Sequence, residues 1–193
     1  FGGSFTAINR NYMLSLLEAA SSFVRIGLVS GIRISTRPDA IDDEILMLLK
    51  SYGVTAIELG AQSLNDRVLK MNNRGHTSKD VEKAAMLIKK HGFELGLQIM
   101  TGLYADDSDS TLRTVQKIID IAPDTVRIYP TIVLKGTDLA DYYNSPGFPV
   151  FKQEEYIDLV IDCLEYLRKD IVVHRITGDG PKDILIAPLW SLN

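Results

Sequence analysis

Short apolar runs alternate along the chain with longer stretches in which apolar residues recur at every third or fourth position. The runs have the length and residue types of buried strands, and the longer stretches have the spacing of amphipathic helices. Strands are predicted at residues 32–36, 54–59, 94–100, 125–129 and 171–175. Helices are predicted at residues 10–24, 42–52, 79–91, 110–121 and 153–169, with shorter ones at 65–71 and 139–143. Residues 1–6 read as a strand end running into a turn, and residues 131–150 as a loop around the last short helix.

Strands that alternate with helices indicate βα units and a parallel sheet, so the predicted fold class is α/β. The visible units are too few for a closed eight-stranded barrel, which ordinarily takes about 250 residues. The pattern therefore predicts a partial (β/α) barrel or a doubly wound sheet. We expect a single domain over residues 1–193, with βα units up to residue 175 and a C-terminal extension over 176–193.

Composition excludes several classes of function. The net charge of −4 provides no general attraction for nucleic acid, although it does not exclude a local basic patch. No apolar run reaches the roughly 18 to 20 residues that a membrane span requires. The single cysteine, Cys163, rules out an internal disulfide framework and indicates a reducing compartment, so a cytoplasmic location is expected. The chain opens at Phe1 without an initiator Met or a signal peptide, which suggests a sequence that starts inside a fold.

Small and hydrogen-bonding residues follow the predicted strands, where parallel α/β proteins gather their ligands. Gln62 comes just after strand 54–59 and can hydrogen-bond a ligand, whereas Arg74 can donate to a carboxylate or phosphate through two parallel N–H groups. Ser35 and Thr36 end the preceding strand, where their hydroxyls either face a ligand or belong to the start of a capped helix. These positions predict a ligand site at one edge of the sheet.

Three other polar features each allow two interpretations. Gly2 and Gly3, followed by Ser4, form either a tight turn or a backbone segment laid against a ligand. Gln98 lies in an otherwise apolar strand and needs a protein partner or a ligand. Glu58 either faces solvent at a sheet edge or pairs with an arginine on a neighbouring strand, Arg33 or Arg127.

The pattern argues against metal and nucleophile sites. The three histidines do not fall at metal-ligand spacing, and no Ser-His-Asp arrangement or phosphate-cradling loop is visible. His91 at a helix C-terminus suits the helix dipole. Cys163 lies on the apolar face of helix 153–169, so we expect it in the core.

Several of these segments together resemble the radical S-adenosylmethionine superfamily. Within it they are closest to the elongator catalytic-subunit-like proteins and their uncharacterised bacterial relatives, and oxygen-independent coproporphyrinogen oxidase is more distant. The segments are FGGSFT at residues 1–6, ISTRPD at 34–39, ELGAQS at 58–63 with NRGHT at 73–77, LQIMTGL at 97–103, VLKGT at 133–137 and HRITGDGP at 174–181. Tyr104-Ala105 stands where the family has Pro-Gly.

The resemblance implies a barrel of the TIM type that binds S-adenosylmethionine beside a [4Fe–4S] cluster and starts radical chemistry. It implies cofactor contacts from Gly2, Gly3, Ser4, Ser35, Thr36, Gln62, Arg74 and Gln98, with Arg74 on the methionine carboxylate and the Gly-Gly backbone on its amino group. The three-cysteine loop that holds the cluster is not in this sequence, so the intact parent is expected to be the enzyme and this chain alone to be inactive.

The substrate stays open between tRNA and a small metabolite. A rival interpretation is a non-catalytic module with the same fold that binds a nucleotide or RNA. A hydrolytic or aldolase-type barrel enzyme is disfavoured, because no suitable lysine, acid pair or metal set ends the strands. No membrane partner is expected, and exposed edges of the sheet suggest a homodimer.

Overall fold

A five-stranded parallel sheet is the centre of the structure. The computed structural model describes residues 3–143, 148 and 150–192. The strands are β1 (Ile32–Thr36), β2 (Val54–Gln62), β3 (Glu94–Thr101), β4 (Thr125–Pro130) and β6 (Val172–Arg175), paired in the order β1-β2-β3-β4-β6. A separate antiparallel pair joins β5 (Val133–Leu134) to β7 (Leu185–Ala187). The helices are α1 (Arg10–Arg25), α2 (Asp43–Ser51), α3 (Asp66–Met71), α4 (Ser78–Lys90), α5 (Ser108–Ile121), α6 (Asp138–Tyr143) and α7 (Gln153–Tyr166), and short 3-10 helices lie at Phe5–Ala7, Pro38–Ala40 and Leu189–Leu192.

The two faces of the sheet have opposite character, because successive side chains of a strand point to opposite sides. One face carries aliphatic side chains that are at most 1% exposed and pack into the main core: Ile57, Leu59, Leu95, Leu97, Ile99, Val126 and Ile128. The alternate positions carry polar side chains and glycines: Arg33, Ser35, Glu58, Gly60, Gly96, Gln98, Arg127 and Tyr129. The polar face therefore provides the surface on which a site can be built.

Local signals explain where the helices start and stop. The Asn9 side chain accepts from the backbone of Asn11 and Tyr12 and begins α1, and the Asp42 carboxylate accepts from Ile45 and begins α2. The turn after α2 uses Gly53 at φ 81, in the left-handed region that glycine adopts without steric cost. These residues fix where α1 and α2 begin and where α2 ends.

The α/β class, the parallel sheet and each of the five predicted strands are confirmed. Strand β2 runs to Gln62, beyond the predicted end at residue 59, because its polar end continues to pair with β3. Helix α7 ends at Tyr166 rather than at 169, because Leu167 is extended at φ −66 and ψ 142.

Two predictions about irregular segments were wrong. Residues 5–7 form a 3-10 helix instead of a strand end, while Phe1 and Gly2 lie outside the described residues. Residues 131–150 are not only loop around a helix, since β5 pairs there with β7 from the C-terminal segment. A pairing between segments about fifty residues apart leaves no periodic signal in either one. The division at residue 175 stays a prediction.

No helix in the described part of the chain is both long and apolar enough to cross a membrane. The outer strands of the main sheet are β1 and β6.

Candidate functional site

A cavity of about 360 Å³ opens where β1, β2 and β3 end. Its walls include every described member of the predicted binding set: Gly3, Ser4, Ser35, Thr36, Gln62, Arg74 and Gln98. Gly2 lies outside the described residues. The volume falls within the range of about 300 to 1,000 Å³ usual for small-molecule sites. The fold thus gathers residues from five separate segments around one space, and their role as cofactor ligands stays a prediction.

Gln62 reaches this cavity through an unusual backbone turn. Its φ of 63 lies in the left-handed region, and the Ser63 N–H donates back to the Ala61 carbonyl at 2.7 Å. A three-residue turn of this kind is strained and rare. The register between β2 and β3 also shifts between Gly60 and Gln62. Together these features place the Gln62 side chain over Gly60, where an added Cβ would lie 2.7 Å from Gln62 Nε2.

Arg74 brings an uncompensated positive charge to the cavity. Within the described part of the chain no carboxylate forms an ion pair with it, whereas the neighbouring Arg37 is bound through two N–H groups to Asp39. Burial and then the repulsion from Arg37 lower the pKa of Arg74 from its ordinary value. A guanidinium stays protonated in proteins, so this wall is suited to an anionic group of a ligand.

The loop that carries Arg74 is anchored at both ends. The Arg74 N–H donates to the Leu69 carbonyl at 3.1 Å, and the Asn72 amide donates to the carbonyls of Val68 at 2.7 Å and Tyr104 at 2.8 Å. Thr77 and Asp80 form a capping box that starts α4. The backbone at Arg74 is therefore held in place by the segments on both sides of it.

Glu58 lies below the cavity at the centre of a network that crosses four strands. Its side chain is 4% exposed and meets Arg127 at 2.7 Å and Arg33 at 3.4 Å. The Ser35 hydroxyl and the Gln98 amide donate to its Oε2 at 3.2 Å and 2.9 Å. Of the two interpretations of Glu58, pairing with arginines is the one observed, and both arginines take part.

Ser35, Gln98 and Thr36 are partly engaged by protein groups. The Ser35 hydroxyl donates to Glu58, which leaves its oxygen as an acceptor for a ligand. Gln98 donates one N–H to Glu58, which leaves its amide oxygen and its second N–H for a ligand. The Thr36 hydroxyl lies 2.5 Å from that of Thr6, which in turn donates to the Ala40 carbonyl. Thr36 therefore joins the segment that bears Gly3 and Ser4 to the end of β1.

A second cavity, of about 480 Å³, lies beside the first and shares Gln62, Arg74 and Gln98 with it. Its far wall is formed by Tyr129 and Arg175, whose guanidinium lies 5.9 Å from the centre of the Tyr129 ring. Arg175 also pairs with Asp179 at 3.2 Å. A ligand bound in the first cavity would thus border a second compartment.

Sequence reasoning missed four residues of the first cavity: Arg37, Gly60, Asn73 and His76. All four lie within the motif segments quoted above, and that membership could have identified them as candidates for the site. What could not be read from the motifs is which side chains point into the cavity.

The described residues contain no group of three or more potential metal ligands. Cys163 is 0% exposed within the core, and burial raises its pKa to about 11. Since an iron–sulfur cluster needs several thiolates, the residues of this chain do not fit one.

The fold and the site define a parallel (β/α)-barrel-type protein with a polar, cationic pocket at the carboxyl ends of its strands. The chain belongs to the radical SAM superfamily: residues 1–118 match that family, and residues 123–193 match the Radical_SAM C-terminal domain.

The relatives extend over most of this chain but are longer proteins. Uncharacterized protein YtqA of Bacillus subtilis is 32% identical over 181 residues, which are 92% of this chain and 56% of that protein. The tRNA uridine(34) acetyltransferase of Methanocaldococcus infernus is 30% identical over 156 residues, 79% of this chain and 29% of that protein. The chain thus spans about half or less of the curated relatives it matches.

Solved structures agree with the fold. The archaeal Methanocaldococcus infernus Elp3 with an N-terminal deletion superimposes with a TM-score of 0.84 at 28% identity, over 96% of this chain and 48% of that one. Coproporphyrinogen III oxidase (HemN) from Escherichia coli, described as a radical SAM enzyme, gives 0.69 at 18% identity over 86% of this chain and 38% of that one, which supports the fold alone.

Proposed function

We propose that this chain is the S-adenosylmethionine-binding part of a radical SAM enzyme, in which reductive cleavage of that molecule starts the reaction. The observation that carries the proposal is the uncompensated Arg74 guanidinium in a cavity lined by the predicted set. S-adenosylmethionine has a carboxylate that suits Arg74, and hydroxyl and amino groups that suit acceptor oxygens such as those of Ser35 and Gln98.

Each cavity residue has a positioning role in this proposal. Gln62, held over Gly60, would hydrogen-bond the ligand from the end of β2. The backbone of Gly3, at φ 74 and with no atom within 4 Å of an added Cβ, would leave room for the methionine amino end. None of these groups is assigned acid or base chemistry.

The [4Fe–4S] cluster would be held by residues outside this sequence. This follows from its single, buried cysteine and from the family to which the chain belongs. Catalysis is accordingly proposed for the intact protein and not for these 193 residues alone.

The substrate class proposed from the relatives is tRNA, with a small metabolite as the alternative. The support for tRNA is the printed name of two archaeal relatives, tRNA uridine(34) acetyltransferase. A net charge of −4 gives no long-range attraction to RNA, so binding would rely on local arginines or on other parts of the intact protein. We propose a cytoplasmic location, which suits both a tRNA substrate and a small metabolite. A homodimer through the outer strands stays a prediction.

Calorimetric titration of the chain with S-adenosylmethionine tests the binding proposal, and Arg67→Ala on the exposed surface of α3 is the matched control for Arg74→Ala. The catalytic proposal is tested by reconstituting the intact protein with iron and sulfide under reducing conditions and measuring 5′-deoxyadenosine. Binding without that product would support the non-catalytic module instead. Absence of binding would refute the assignment of the cavity.

A further inference from the structure

His76 lies between the two segments that bring Gln62 and Arg74 to the cavity. The residue is 8% exposed and borders the cavity itself. Its Nδ1 lies 3.2 Å from the Arg74 carbonyl, and its Nε2 lies 3.1 Å from the Ala61 carbonyl. One imidazole ring thus bridges the end of β2 and the loop before α4.

Both partners of the ring are acceptors. A carbonyl oxygen only accepts hydrogen bonds, and a neutral imidazole has a single N–H group. In the neutral form one ring nitrogen would therefore turn its lone pair toward a carbonyl, whereas the imidazolium form donates at both ends. A ring nitrogen that donates to its carbonyl forms one half of the bridge.

The Ala61 carbonyl has a second task that makes this contact consequential. It also accepts the Ser63 N–H, which closes the strained turn at Gln62. A donor at His76 Nε2 adds a second bond to the same oxygen and helps to hold that turn. The other end of the ring fixes the backbone of Arg74, so a single side chain sets the spacing of the two ligand-binding residues.

We infer that His76 is a positioning residue that holds the Gln62 turn and the Arg74 loop together, at the spacing in which both side chains reach one ligand. The choice of S-adenosylmethionine as that ligand rests on the proposed function. The bridging role is independent of the proposed function, since it rests on the two contacts of the ring with carbonyl oxygens.

The bridge is tested without ligand by comparing backbone amide resonances of His76→Gln with those of wild type. The amides of Ser63 and Arg74 should shift in this variant and stay in place in His174→Gln, an exposed control on β6. Unmoved amides in a folded His76→Gln chain would overturn the bridging role. If that variant does not fold, the ring nitrogens of wild type decide, since the chain has only three histidines to resolve by ¹⁵N spectroscopy. Two hydrogen-bonded ring nitrogens at His76 support the bridge, and one free nitrogen overturns it.

The effect on the ligand site is measured by calorimetric titration of S-adenosylmethionine into wild type and both variants. We expect His174→Gln to bind as wild type does and His76→Gln to bind about tenfold more weakly. Equal affinity in a folded His76→Gln chain would refute the positioning role and leave the proposed function standing. Absence of binding to wild type would refute the proposed function, while the ligand-free comparison still decides the bridge.

Discussion

The side-chain amide of Gln98 donates to Glu58 Oε2 at 2.9 Å, which fixes the orientation of that amide. The amide oxygen and the second N–H group are left for a ligand, so Glu58 decides how Gln98 presents them to the cavity. The same carboxylate orients Ser35 from the opposite neighbouring strand. Glu58 is thus a support for two predicted ligand contacts without lining the cavity itself.

Replacing Glu58 by Gln should be strongly destabilising. The variant removes the charge that pairs with Arg127 and Arg33 at a side chain only 4% exposed. Removing one partner of a buried pair typically costs about 3 to 5 kcal/mol. Because both arginines are partly exposed, we expect the free energy of unfolding in urea to fall by about 3 kcal/mol. Glu94→Gln is the control, since its bond to Arg33 at 2.6 Å is largely solvated and should be worth less than about 1 kcal/mol. Equal effects of the two variants would contradict this view of Glu58.

Replacing Arg74 by Ala should weaken S-adenosylmethionine binding by at least about tenfold, because a charged hydrogen bond contributes roughly 1.5 to 3 kcal/mol. The unfolding free energy should change little, since no ion pair of the described residues depends on this guanidinium and its loop is held by backbone contacts. Calorimetry and urea unfolding measure the two effects separately. Unchanged affinity would remove the assigned role of Arg74, and Arg67→Ala should leave both quantities as in wild type.

Replacing Gly60 by Ala should disturb the ligand site more than the fold. The new Cβ would lie 2.7 Å from Gln62 Nε2, the far end of a flexible side chain that can move away. We expect a change within about 1 kcal/mol in stability and a clear loss of S-adenosylmethionine affinity. If Gly60→Ala acts through Gln62, the double variant with Gln62→Ala should bind S-adenosylmethionine only slightly more weakly than Gln62→Ala alone. Additive losses would show a separate cause.

Stability should depend on pH through the capping box of α4. Hydrogen bonds from the Thr77 hydroxyl and N–H, both at 2.7 Å, lower the pKa of Asp80. A carboxyl with a lowered folded-state pKa adds stability above its unfolded value of about 3.9, and this is lost as the pH falls through the folded value. Asp80→Asn should therefore cost about 1 kcal/mol near pH 6, with the difference from wild type shrinking below about pH 4. Asp158→Asn on the exposed side of α7 is the control for removing a carboxylate outside the capping box.

Cys163 should be unreactive in the native chain. Its thiol is fully buried, and its pKa of about 11 leaves very little thiolate at pH 8. Alkylation with iodoacetamide followed by mass spectrometry should show slow labelling in buffer and rapid labelling in urea. Rapid labelling of the folded protein would contradict the placement of this residue in the core.

Much of the fold was readable from local sequence. Apolar runs such as that of β2 bury one face of the sheet in any context, and caps such as Asn9 and Asp42 act within three residues, so pattern alone located these elements. The motif segments also contain the residues that the structure brings to one cavity. Each of these signals depends on neighbours along the chain.

Only the tertiary structure decided how those residues are used. The left-handed backbone of Gln62, the four-strand environment of Glu58 and the two carbonyls at His76 depend on strands or loops brought together by folding. The pairing of β5 with β7 likewise joins distant segments. The physical reason is the same in each case: strand periodicity sets which face a side chain takes, whereas its partner, orientation and charge state are set by atoms far away in sequence.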